Sequence, residues 1–212
     1  EQIAMRLCCA MAPADIGVLR NAPHKLPKEE FTAYTNAVVM LKNVPMQIND
    51  TSRPSIANIR ESIRKTQHQY GFVGAVLVDY LQIMKTTKPF AREDLKIAYF
   101  TGELKAMAKE FNCVIVLLSQ LNRELEKRPN KRPVLSDLRE SGAIEQDADQ
   151  IIFLYRDEIY NKESQFRGIA EAIVGKNRHG ETGTAYMHAQ LKYCQFTNLD
   201  HDALNQIQGN LI

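Results

Sequence analysis

The sequence has no apolar run approaching the roughly 18 residues that cross a bilayer as a helix, and no signal-peptide pattern opens it. These absences set aside the membrane-spanning and secreted classes and predict a cytoplasmic protein. Its four cysteines, Cys8, Cys9, Cys113 and Cys194, show no Cys-x-x-Cys spacing, and Cys113 opens an apolar run as a buried reduced thiol does. Their placement predicts a reducing compartment and no cysteine metal site. Charge of one sign is missing too: 27 Lys and Arg oppose 25 Asp and Glu, a net of +2. A whole-chain attraction for polyanions is therefore not expected, and any nucleic-acid surface must be local. There is no repeat, no low-complexity segment and no initiator methionine. Glu1 opens on an amphipathic pattern with Ile3, Leu7 and Met11 on one face, which predicts a piece of something longer.

What is present suits one α/β domain. The 212 residues, 44% hydrophobic and 25% charged, allow a sizeable core. The chain is organised around Ala75-Val76-Leu77-Val78-Asp79-Tyr80-Leu81-Gln82. Its continuous apolar run predicts a strand buried on both faces, the habit of a central parallel strand. Ligands of open α/β sheets lie beyond the carboxyl ends of such strands. Asp79 is thus well sited to hold Mg²⁺ and its phosphates; the alternative is a strand-end acid that solvates a loop.

Around that strand the pattern alternates. A first helix ends near Pro13, and a second starts at Pro27 with Phe31, Tyr34 and Val38 as its apolar face. Val44 to Ile48 is a short strand candidate. Ser55 caps a helix whose stripe is Ile56, Ile59 and Ile63, and Gly71 stops it. Glu93 to Phe111 reads as helix through Leu95, Ala98, Tyr99, Leu104 and Met107. Val114 to Leu118 is a second apolar strand, ending at Ser119-Gln120. Strands and helices in this order predict a parallel sheet with right-handed crossovers. Arg123 to Arg132 is an aperiodic basic loop broken by Pro129. Ile151–Tyr155, Ile169–Val174, Thr184–Ala189 and Tyr193–Phe196 read as short strands, the middle pair a hairpin turning at Asn177 to Gly183.

Three features carry chemistry. If the strands ending at Asp79 and Gln120 are neighbours, a carboxylate and an amide share one sheet edge. The first suits Mg²⁺; the second accepts from a water or donates to a γ-phosphate oxygen. Taken alone, Gln120 reads first as a polar strand terminator. The turn Gly175-Lys176-Asn177-Arg178-His179-Gly180 offers two cations in the manner of an arginine finger, or is a solvated hairpin tip. It is not a phosphate loop, because Asn177 stands where Ser or Thr is needed and the glycine spacing is wrong. The basic loop and the tract from Ser136 to Asp149 carry no aromatics, which suits a phosphate backbone better than stacked bases; the alternative is a flexible solvated loop.

Together these residues resemble the C-terminal motor domain of the bacterial replicative DNA helicases, the DnaB family. The matching runs are Val78-Asp79-Tyr80-Leu81-Gln82, Ser119-Gln120-Leu121-Asn122-Arg123, Lys131-Arg132-Pro133, Ser136-Asp137-Leu138-Arg139-Glu140-Ser141-Gly142, Glu145-Gln146-Asp147-Ala148-Asp149, Tyr155-Arg156-Asp157-Glu158 and Lys176-Asn177-Arg178-His179-Gly180. The resemblance runs from Glu1 to about Phe196. It implies a RecA-like α/β core with a mostly parallel sheet and a C-terminal β-hairpin extension, truncated at its N-terminal side. Residues 1–198 are expected to be a partial motor domain, and 199–212 a tail. By the same resemblance Asp79 is the Mg²⁺-associated acid and Gln120 the γ-phosphate sensor. Lys176 and Arg178 are the cations offered to a neighbouring subunit's nucleotide. Arg6 is a basic residue near the nucleotide, and Arg139, Glu140 and Gly142 belong to the loop that follows the DNA backbone. ATP and Mg²⁺ are the implied cofactors. The implied partners are single-stranded DNA, further copies of the chain in a homohexamer, primase and a helicase loader. The implied reaction is NTP-driven 5′ to 3′ translocation and unwinding.

The departures are large. The family's Gly-x-x-x-x-Gly-Lys-Ser/Thr loop occurs nowhere in the 212 residues, and it supplies the amide cradle, the lysine and the Mg²⁺-binding hydroxyl. The catalytic glutamate is expected a few positions before Glu1, and Glu1 itself does not take that role. These 212 residues alone are therefore expected not to hydrolyse ATP. Two other readings stay open: a non-catalytic assembly or loader-binding module, and a RecA-like recombinase or primase-helicase relative.

Overall fold

The computed structural model describes residues 1–138 and 142–200. The described residues divide into two compact units: 1–45, 154–173 and 183–200 form the first, and 46–138, 142–153 and 174–182 the second.

In the first unit, α1 (Gln2–Met11) and α3 (Lys28–Lys42) build a small helical core, with α2 (Ile16–Asn21) beside α1. Cys8, Ala12 and Ala37 are buried there, with Ala33, Tyr34, Val38 and Leu41 packed against them. This face differs slightly from the one the sequence pattern predicts. Ile3, Met11 and Phe31 are exposed, whereas Cys8 and Cys9 are buried, because small side chains let α1 and α3 approach closely. Pro27 is the N-cap of α3, one position before its first turn. Asp15 caps α2 by accepting from the Gly17 and Val18 amides. Val44 to Ile48, expected as a strand, is not one: it is irregular and exposed, with no ladder to satisfy its backbone.

β5 (Gly183–Gln190) and β6 (Gln195–Asn198) pair antiparallel, Met187 opposite Asn198 and Gln190 opposite Gln195. They are the last two strands of a sheet ordered β3-β4-β5-β6, with β3 (Gln150–Tyr155) and β4 (Ile169–Asn177). The Gln195 amide donates to the Ala10 carbonyl at 2.6 Å, tying this edge to α1.

In the second unit, Ser55 and Asn58 form a reciprocal cap on α4 (Ile56–Tyr70), and Gly71 ends it with φ 84°, a left-handed conformation that favours glycine. Ile56, Ile59 and Ile63 are buried as the spacing predicts. α5 (Glu93–Glu110) buries Ile97, Phe100, Thr101, Leu104 and Met107. Arg60 and Arg64 on α4 reach Glu103 and Glu110 on α5.

β1 (Ala75–Val78) and β2 (Val114–Leu117) pair parallel, Ala75 opposite Val114 and Val78 opposite Leu117. The parallel pairing, with α5 between the two strands in the chain, is the expected one. Burial on both faces is not: Leu77 is 72% exposed and Val114 62%. Along β1, Val76 is half-buried and Val78 buried while Ala75 and Leu77 are open, and along β2, Ile115 and Leu117 are half-buried while Val114 and Val116 are open. α6 (Gly142–Asp147), unforeseen in the sequence, packs on α5, where the Thr101 hydroxyl donates to Asp147 at 2.5 Å.

Candidate functional site

The parallel register decides the first question. Because Val78 lies opposite Leu117, both strands run out at the same edge, and Asp79 and Gln120 leave it together. Leu118 donates its amide to the Val78 carbonyl at 3.0 Å, and Leu81 donates to the Leu118 carbonyl at 2.9 Å, so the two exits stay joined beyond the strands. Asp79 and Gln120 are exposed. Among the described residues no hydrogen bond or ion pair engages the Asp79 carboxylate or the Gln120 side chain.

Sequence reading missed what holds them. Gln82, on a short 3-10 turn over Leu81–Ile83, donates through Nε2 to Ser119 Oγ at 3.0 Å and to the Gln120 carbonyl at 3.3 Å. Its Oε1 accepts the Gln120 amide at 3.2 Å. The available signal was position: an amide three residues beyond a strand-end acid, with a hydroxyl and an amide ending the neighbouring strand.

Lys176 and Arg178 lie at the end of β4 and just past it. The Lys176 ammonium donates to the Ala148 carbonyl at 2.8 Å and to the Glu145 carbonyl, satisfying backbone acceptors at the C-terminal end of α6. Arg178 donates to Asp149 Oδ1 at 3.1 Å and to the Gln146 carbonyl, and its own amide donates to the Asp149 carbonyl at 2.9 Å. Lys105 also pairs with Asp149. Its hydrogen bond, then the charges of Lys105 and Arg178, hold the Asp149 carboxyl below the usual carboxylate range. Gly175 is needed here for space: a Cβ would fall 2.6 Å from Cε2 of the buried Phe153 ring.

The basic loop is more ordered than its sequence implies. Arg128 forms a two-pronged pair with the buried Asp137, at 3.0 and 2.7 Å, and also donates to the Arg132 carbonyl. Asp137 accepts the Val134 amide at 2.8 Å, and Leu121 bridges Leu138. Arg128 is thus a staple, not an open cation, while Arg123 is exposed. Of the expected DNA-loop residues, Gly142 opens α6, and Arg139 and Glu140 lie outside the described residues. Arg6 is exposed on α1 in the first unit.

The family model for the DnaB-like helicase C-terminal domain matches residues 1–198. The chain belongs to this family. A replicative DNA helicase DnaB from Haemophilus influenzae is 41% identical over 200 residues, 94% of this chain and 42% of the relative. The Geobacillus stearothermophilus protein of the same name is 37% identical over 201 residues, 94% of this chain and 44% of its own length. The chain therefore spans less than half the length of these relatives. Among solved structures, one described as an ATPase domain superposes with a TM-score of 0.88 at 35% identity, covering 94% of this chain and 70% of that one. A DnaB-like replicative helicase, described with its interactions with primase, gives 0.89 at 35% identity over 94% and 48%. The fold is the RecA-like α/β core of the DnaB family, as expected. No helix among the described residues is long and apolar enough to cross a membrane.

Proposed function

We propose that this chain is the motor part of a replicative DNA helicase that couples ATP hydrolysis to 5′ to 3′ movement along single-stranded DNA. The observation that carries the reading is the common edge: an uncommitted carboxylate and an uncommitted amide leave adjacent parallel strands side by side. One exposed carboxylate fits Mg²⁺, which keeps several waters and binds through one or two carboxylates plus substrate phosphates. The described residues hold no group of three or more His, Cys, Asp or Glu that would make a protein-only cage. Asp79 would hold that ion, whose contribution when bound is to offset charge on the phosphate oxygens. Gln120 orients the attacking water or reports the γ-phosphate. Lys176 and Arg178 serve a nucleotide bound by a neighbouring copy in a hexameric ring, and Arg6 lies near the nucleotide. The tract containing Arg139, Glu140 and Gly142 follows the DNA backbone.

The family supports single-stranded DNA and a homohexamer, and the likeness to a helicase described with primase supports primase as a partner. A helicase loader is proposed on the same footing. The phosphate loop is not among the 212 residues, so turnover needs it from elsewhere in the full-length protein. The test is DNA-stimulated ATP hydrolysis by the full-length protein and by residues 1–212. Turnover is expected from the first, lost on Asp79→Ala, and none above background from the second. A full-length protein that binds its partners but never hydrolyses ATP would favour the non-catalytic assembly module instead.

A further inference from the structure

Gln82 is placed to do more than fill a turn. A primary amide carries two donor hydrogens and a carbonyl acceptor, and here both donors and the acceptor are used on one short segment: Ser119 Oγ, the Gln120 carbonyl and the Gln120 amide. The side chain completes the backbone pairing of Gln120 as a third strand would. The network also fixes which end of the amide is which. Reversed, its oxygen would face the Gln120 carbonyl and its nitrogen the Gln120 N–H, two like-with-like contacts. Gln82 follows Asp79 by three residues on a turn tied to β2 by the Leu81–Leu118 hydrogen bond of 2.9 Å. One side chain therefore ties the segment that carries the acid to the segment that carries the amide.

We propose that Gln82 is a positioning residue that sets the separation and orientation of Gln120 relative to Asp79. The inference rests on the reading of those two residues as γ-phosphate sensor and Mg²⁺-associated acid. Geometric errors of about 1 Å in a reacting group cost up to about 100-fold in rate, so a loosened Gln120 lowers turnover more than nucleotide binding. Glutamate at this position is the discriminating substitution. It has the same shape and still accepts from the Gln120 amide, but when ionised it presents an oxygen to the Gln120 carbonyl. Protonation restores one donor, and the hydroxyl and carbonyl oxygens it faces favour the protonated form, which raises the pH at which this happens.

The experiment is steady-state ATP hydrolysis by the full-length protein with single-stranded DNA, in Gln82→Ala, Gln82→Glu, Gln120→Ala and the double variant Gln82→Ala/Gln120→Ala. Thermal melting is recorded for each. Gln82→Ala is expected to lower kcat at least about 10-fold with KM for ATP within about two-fold, and to add nothing to Gln120→Ala. Gln82→Glu is expected to lose activity at alkaline pH and regain part of it, relative to the parent, as pH falls toward about 6. If Gln120→Ala is inactive while Gln82→Ala and Gln82→Glu keep the parent kcat, the positioning role is wrong and the sensor reading stands. Losses that multiply in the double variant also overturn it, since the two residues then act independently. If Gln120→Ala itself hydrolyses normally, the sensor reading fails and takes this inference with it. Should Gln82→Ala melt early, the pH profile of Gln82→Glu decides: no recovery in acid overturns the proposal.

Discussion

The strand edge and the β4 turn are the two places where phosphate chemistry was expected, and they are built in opposite ways. At the edge, backbone hydrogen bonds and the Gln82 amide do the holding, and the reactive groups of Asp79 and Gln120 are left open to solvent. At the turn, Lys176 and Arg178 are themselves the holding groups, spent on the carbonyls of Glu145, Gln146 and Ala148 and on Asp149. Chemistry and stability are therefore separable in the first region and merged in the second. On the proposed reading the turn cations would have to exchange these partners before meeting a phosphate on another subunit, whereas no hydrogen bond or ion pair among the described residues holds the Asp79 carboxylate.

The widest gap between the regions is expected from Asp79→Ala set against Lys176→Ala. On the proposed reading, Asp79→Ala in the full-length protein would remove a metal-linked contact worth several kcal/mol to the transition state, a loss of at least about 100-fold in DNA-stimulated ATP hydrolysis. Its Tm should move by less than about 2 °C, as for other exposed positions. Lys176→Ala should lose activity as well, but it also strips a cation from two backbone acceptors at the end of α6. A cost of about 1–2 kcal/mol corresponds to a Tm lower by about 3–6 °C. Equal melting temperatures for the two variants would break the contrast.

Gly175→Ala probes the same contrast from the packing side. A new Cβ would sit 2.6 Å from Phe153 Cε2 and 3.2 Å from Cδ2, and Phe153 is only 3% exposed. Overpacking of this kind costs about 1–3 kcal/mol, and it strains the strand that delivers Lys176. Chemical denaturation should show that loss, and placing the change in a Phe153→Leu background should shrink it. An undiminished loss there would mean that backbone strain, not the ring, is responsible.

Much of the strand edge was legible because it is written in short-range patterns. Two apolar runs ending near Asp79 and Gln120, with a helical period between them, predict parallel strands, and the observed pairing of β1 with β2 puts Asp79 and Gln120 at one edge. Ser55 and Gly71 bounded α4 for the same local reason. The misplaced features depend on partners distant in sequence. Val44 to Ile48 has strand-like residues but no neighbour to pair with. Phe31 looked like the core of α3, yet the small Cys8 and Ala37 decide which face closes on α1. The stretch from Arg123 to Arg132 reads as one basic loop, while Asp137, nine residues after Arg128, takes both prongs of that side chain. The bracketing role of Gln82 is likewise invisible until β1 and β2 are side by side.

The smallest effect expected is at Asp149, and its sign is fixed by its neighbours. Lys105 first and Arg178 second favour the ionised form, so its folded-state pKa lies below the unfolded value of about 3.9. A depressed carboxyl contributes stability that is present above the unfolded pKa and lost as pH falls through the folded one. Its side chain is 48% exposed and those of its partners 27% and 42%, so screening holds the contribution below about 1 kcal/mol. Melting curves of the parent and Asp149→Asn should differ by a small constant gap from neutral pH down to about 5, closing below about 4. Added salt should narrow the gap at neutral pH. A gap that survives in acid and in salt would show that Asp149 holds Arg178 through hydrogen-bond geometry that asparagine cannot copy. The turn would then resemble the strand edge, where shape and not charge keeps Asp79 and Gln120 in place.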